Sequence, residues 1–208
     1  MAKNVVGLLG DLPSAQHGYF TRAQATAAGV EDFELTRAVR NGFIERVGHG
    51  VYRAAGAPHD RHAELRIAWL RLAPGRSPRR RTLRPDIWVS HTSAAEIHNA
   101  GVFSADVPTF IVVDRLRPGK GVKVHRRSGG LDRNDWTVID GFAVTSIERT
   151  VADLHRAGVD GGHLGRFISD AINSGATTEA AMSERLGITT VESAALIAMA
   201  APHPIGAR

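Results

Sequence analysis

The sequence predicts an α+β protein in two parts: a helix-turn-helix module, then a mixed domain that ends in several helices. Two observations carry this. Residues 18–53, GYFTRAQATAAGVEDFELTRAVRNGFIERVGHGVYR, read as helix, short turn, helix, then two β-rich runs around Gly48-His49-Gly50. Beyond residue 85, strand-like runs come first and helical patterns afterwards, the order of an α+β domain.

The elements follow in order. Val5, Val6, Leu8, Leu9 and Leu12 predict a first helix that Pro13 ends. Thr21 is an N-cap for TRAQATAA, and Gly29 stops that helix. Val30 and the acids Glu31 and Asp32 open the next, with negative charge where the helix dipole favours it. Phe33, Leu35, Ala38 and Val39 are expected on its apolar side, and Gly42 ends it. Thr36, Arg37, Arg40 and Asn41 are expected on the opposite side. FIERVGHGVYR then reads as a hairpin carrying Arg46, His49 and Arg53.

This order is that of a winged helix-turn-helix, whose second helix enters the major groove while the hairpin lies against the backbone. The candidate DNA contacts are therefore Thr36, Arg37, Arg40, Asn41, Arg46, His49 and Arg53. The competing reading is an αα-hairpin followed by an unrelated β-hairpin. The short turn at Gly29, the residue types facing out of the second helix and the cations of the hairpin argue against it.

The module is expected to span 1–58. HDRHAELRIAWLRL (59–72) reads as a helix with Leu65, Ala68, Trp69 and Leu72 on its apolar side and Arg61, Arg66 and Arg71 elsewhere. PGRSPRRRTLRP (74–85) holds three prolines and five arginines, Arg76, Arg79, Arg80, Arg81 and Arg84. It is expected to be either a solvated linker or a strip that meets phosphates or an acidic protein face. The second domain is expected over 86–208. DIWVS begins it, Ser90 caps HTSAAEIHNAG, and PTFIVVD and GVKVHRR are strand-like. WTVID and FAVTS fold at Asp140-Gly141, and SIERTVADLHRAG, GHLGRFISDAINSG, TTEAAMSERLG and VESAALIAMAA follow as helices.

Composition narrows the classes. The chain has 208 residues and no cysteine, which excludes disulfides and thiolate metal sites. No stretch is long and apolar enough for a membrane span, and the N-terminus does not resemble a signal peptide, so a cytoplasmic protein without a membrane partner is expected. The net charge of +5 is concentrated: residues 61–84 hold eight arginines against Glu64 alone. One basic strip is expected, not a basic coat.

Catalytic chemistry is not legible. His91 and His98, seven residues apart with Glu96 nearby, lack metal-ligand spacing and read as capping or packing residues. RPGKG (117–121) lacks the Walker spacing and reads as a hairpin turn. Arg149 and Asp153 read as a local i,i+4 ion pair. No metal and no cofactor is expected.

GYFTRAQATAAGV and LTRAVRNGFIERVGHGVYR resemble the N-terminal domain of AbiEi-type antitoxins. WVSHTSAAEIHNAGV, VKVHRR and FAVTSIERTVADL resemble that family's downstream domain, so the resemblance covers about residues 4–157. It implies the antitoxin of an operon-encoded pair whose toxin is an AbiEii-type nucleotidyltransferase. The first domain would repress the operon by binding promoter repeats, and the second would neutralise the toxin. The chain shows no heptads, so a monomer is expected free in solution, with two copies meeting on DNA repeats. Two alternatives stay open. One is an enzyme that modifies the toxin by kinase-like phosphoryl transfer, the only reading that would bring in ATP and Mg. The other is a winged-helix regulator whose second domain senses a ligand.

Overall fold

The computed structural model describes residues 5–116 and 118–187, and the chain divides after Pro85 into two units. The expected helix VESAALIAMAA lies outside the described residues.

In the first unit, α1 (Val5–Leu9) is shorter than expected, because Gly10 takes a positive φ and Leu12 lies beyond the helix end. A 3-10 turn at Ser14–Gln16 leads into β1 (Tyr19–Thr21), a strand not anticipated from the sequence. Then come α2 (Arg22–Ala27), α3 (Asp32–Arg40), β2 (Ile44–Gly48) and β3 (Val51–Ala54). The three strands pair antiparallel in the order β1-β3-β2. The β2–β3 turn is His49-Gly50, with Gly50 at φ +67°. Val5, Leu9, Phe20, Ala25, Val30, Leu35, Ala38 and Ile44 form the core beneath the helices. Full burial of each large side chain there contributes about 1.5–3 kcal/mol.

The helix expected within 59–72 is found there, while 74–85, expected as a linker or strip, holds a second helix. The two are α4 (Ala63–Leu72) and α5 (Pro78–Leu83), within the first unit. Ser77 accepts from the Arg80 backbone N–H at 3.3 Å and Pro78 stands inside the first turn, so a seemingly irregular stretch carries a complete helix start. The loop before α5 is tied to α2. Gln24 Nε2 donates to the Arg76 carbonyl at 2.7 Å, and the Thr21 hydroxyl donates to the Pro74 carbonyl.

The second unit is a five-stranded mixed sheet in the order β6-β5-β4-β8-β7. Its strands are β4 (Ile87–Val89), β5 (Thr109–Val112), β6 (Lys123–Arg126), β7 (Trp136–Ile139) and β8 (Phe142–Thr145). β7 and β8 form the expected hairpin, with Asp140 and Gly141 both at positive φ as a type I′ turn requires. β5 and β6 overturn an expectation. They pair in parallel, so the stretch around RPGKG belongs to a connection that carries the chain back along the sheet, not to a hairpin turn. Adjacent parallel strands β4 and β8 each feed a helix, α6 (His91–His98) and α7 (Ile147–Arg156). α8 (Gly161–Asn173) and α9 (Glu179–Leu186) follow. Val151, Leu154, Leu164, Phe167, Ile168 and Met182 are the centre of that helical core. Trp88, Ile111, Trp136 and Ala143 form a smaller apolar cluster.

Candidate nucleic-acid interface

The helix-turn-helix is built from reciprocal caps. The Thr21 hydroxyl accepts from the Gln24 N–H at 3.1 Å, while the Gln24 carboxamide oxygen accepts from the Thr21 N–H at 2.9 Å. Gly29, at φ +82°, ends the first helix, and Val30 is buried in the turn. Glu31 and Glu34 form a second capping box at the start of α3. Arg22 then reaches across from α2 to hold Asp32 with both Nε, at 2.7 Å, and Nη2. The first turn of α3 is thereby fixed from three sides.

Leu35 and Ala38 face the core and Glu34 is buried. The exposed stripe is Phe33, Thr36, Arg40 and Asn41, with Arg37 half-buried beside them. Phe33 is 60% exposed, contrary to the expectation that it joins the core side. Residues two apart on an α-helix lie about 200° apart, so Phe33 cannot share a face with Leu35. Its partners are those at i+3, i+4 and i+7, namely Thr36, Arg37 and Arg40. Helical spacing was the signal that would have found it. The Thr36 hydroxyl donates to the Asp32 carbonyl at 2.9 Å. Asn41 is the C-cap residue, and its backbone N–H closes the helix onto the Arg37 carbonyl.

On the hairpin, Arg46 and His49 are exposed. Arg53 is different. Its Nη2 donates to the Ala57 carbonyl at 2.8 Å and to that of Pro58, and the guanidinium lies over the Tyr19 ring at 5.4 Å. Its donors hold the chain after β3, so it is a fold residue more than a phosphate contact.

The arginine strip also divides. Arg81 is buried, with Nη1 donating to the Trp69 carbonyl at 3.1 Å and Nη2 to the carbonyls of Leu70, at 3.3 Å, and Ala73. These are end carbonyls of α4 that have no intrahelical partner, and the guanidinium also covers the Trp69 ring at 4.8 Å. Arg81 is thus withdrawn from any toxin or phosphate contact. Arg76 is half-buried, its carbonyl engaged by Gln24 and Arg81. Arg79, Arg80 and Arg84 are exposed and, with Ser77 and Leu83, line an open depression of about 410 Å³. Arg66, expected off the apolar side of α4, is buried too, its Nε 2.6 Å from Asp60 Oδ2.

In the second unit Asp135, Arg149 and Asp153 are buried. Arg149 bridges Asp153, at 2.9 Å, and Asp135, also at 2.9 Å, and Arg185 and Arg156 add further cations to the two carboxylates. The pair expected to be local is the buried centre of a five-residue network. Burial opposes the charge on Arg149, but Asp153 and Asp135 outweigh it and raise its pKa. His91 and His98 do not converge: His98 Nε2 meets the Thr145 carbonyl at 2.7 Å, while His91 stacks on His125. Burial, then the neighbouring His125, push His91 down to about 4.

The family model described as "Transcriptional regulator, AbiEi antitoxin" matches residues 11–55, from the turn after α1 through β3, the N-terminal part of the resemblance expected over about residues 4–157. No curated protein gives a significant match. Among solved structures, the RV2827C protein from Mycobacterium tuberculosis is similar, with a TM-score of 0.52 and 15% identity. The alignment covers 94% of this chain and 75% of that one, a likeness of fold. Among the described residues, no helix is long and apolar enough to cross a membrane.

Proposed function

We propose that the chain is the antitoxin of a toxin–antitoxin pair, that it represses its own promoter through α3, and that it neutralises a nucleotidyltransferase toxin. The observation that carries the reading is the exposed stripe of α3, whose start is set by the Glu31–Glu34 capping box and the Arg22–Asp32 pair, within a segment that matches a transcriptional-regulator antitoxin family. Arg37, Arg40 and Asn41 are residue types that pair with base edges, and Arg46 and His49 stand where a wing meets phosphate. The β2–β3 hairpin is that wing, and the sheet β1-β3-β2 supports it. Neutralisation is assigned to the second unit, Asp86–Arg208, because the first is complete as a DNA module.

The test is gel shift with DNA from upstream of the chain's own gene at physiological salt. Wild type binds in a sequence-specific manner. Arg37→Ala and Arg40→Ala each cost about 1–3 kcal/mol if the side chain makes a bidentate base contact, and Arg46→Ala weakens all sequences alike. Three variants that bind as wild type overturn the interface. Co-expression with the neighbouring gene's product tests the other half, since restored growth is expected from the full chain and not from residues 1–85.

A further inference from the structure

Phe33 is a large apolar side chain in open solvent at the first turn of a helix whose other exposed residues are polar or cationic. Isolated exposed apolar residues are ordinary on protein surfaces. This one is distinguished by its position and by its rigidity. At i+3, i+4 and i+7 it has Thr36, Arg37 and Arg40, so it lies on the line of the stripe. Its backbone is fixed on both sides, by Asp32 in the grip of Arg22 and by the Glu31–Glu34 capping box. A phenyl ring with two torsions on such a backbone loses little conformational freedom when it docks.

Resting on the DNA reading above, we propose that Phe33 is a specificity residue that packs against the 5-methyl group of a thymine in the major groove. The residues at the N-terminal end of a recognition helix are those that reach base edges. In that groove the thymine methyl is the one apolar group that distinguishes a base pair. Arg37 and Arg40 follow Phe33 on the same stripe, and Arg46 and His49 are exposed on the hairpin, the charge that places a polyanion against this surface.

The experiment uses the full chain and a fluorescent duplex of the DNA upstream of its own gene, in two versions, with thymine or with uracil throughout the bound segment. Wild type is expected to bind the uracil duplex roughly three- to tenfold more weakly, a methyl contact being of that order. Phe33→Ala is expected to bind the thymine duplex about tenfold more weakly and to lose the thymine–uracil difference, while Phe33→Leu keeps part of it. Because the side chain is exposed, circular dichroism and melting of both variants should match wild type. Specific wild-type binding with an unchanged thymine–uracil ratio in Phe33→Ala overturns this inference alone. Absence of sequence-specific wild-type binding overturns the DNA reading and this inference with it. A Phe33→Ala chain that binds DNA normally but no longer restores growth against the toxin places the ring in a protein contact, and overturns it as well.

Discussion

The imidazoles of His91 and His125 lie face to face, with centroids 4.0 Å apart and planes within 14°. His91 takes a left-handed backbone, φ +54°, where β4 passes into α6, and its Nδ1 lies 3.0 Å from the Ser90 hydroxyl. His125 Nε2 is buried without a hydrogen-bond partner among the described residues. Both rings are half-buried, and burial disfavours the charged form of each. Burial, then Lys123, lower His125 as well, and Asp153 opposes the shift on both rings.

This fixes a pH dependence. The folded-state pKa of His91, about 4, lies below the ordinary imidazole value of 6.5, so the unfolded chain takes up the proton first as pH falls. The stabilisation is complete above about pH 6.5 and is lost as pH falls towards 4. The expected loss is on the order of 1–2 kcal/mol once partial solvent exposure is allowed for. Calorimetry of the full chain between pH 7 and 4 should show it. His91→Asn, whose side chain tolerates a left-handed backbone, should flatten the slope. An unchanged slope would remove His91 as its source.

Asp60 and Arg66 give a second expectation. Both side chains are 1% exposed, and Asp60 also accepts from the His62 N–H at 2.9 Å. Burial alone would raise the Asp60 pKa, but the hydrogen bonds from Arg66 and His62 and the Arg66 charge hold it below its usual value. Asp60→Ala removes one partner of a buried ion pair and should cost about 3–5 kcal/mol in urea unfolding. The pair's stabilisation is present above the unfolded carboxylate pKa and is lost as pH falls through the lower folded value. The double change Asp60→Leu with Arg66→Met should recover most of the loss.

The arginine strip separates by burial. Arg81→Glu puts an anion among the end carbonyls of α4 and should unfold the first unit or cost upwards of 3 kcal/mol. Arg79→Glu, Arg80→Glu and Arg84→Glu are exposed changes and should each stay within about 0.5 kcal/mol of wild type. Thermal melts decide this. The exposed triple variant then reports on toxin or phosphate contact in the growth assay without a folding artefact.

Sequence alone determined whatever depends on neighbours along the chain. The cap at Thr21, the stop at Gly29, the β2–β3 turn and the Asp140-Gly141 turn are local, and the structure has each where the residues put it. The polar candidates Thr36, Arg37, Arg40 and Asn41 were legible for the same reason, because helical period is written in the chain. Tertiary structure decided what depends on distant partners. A guanidinium looks the same in sequence whether water or backbone carbonyls receive it. Only the return of α5 to the end of α4 buried Arg81, and only the approach of the turn at Ala57 engaged Arg53. The parallel pairing of β5 with β6 was likewise invisible, since each strand's own pattern is satisfied in either direction and the choice is made by the strands' packing.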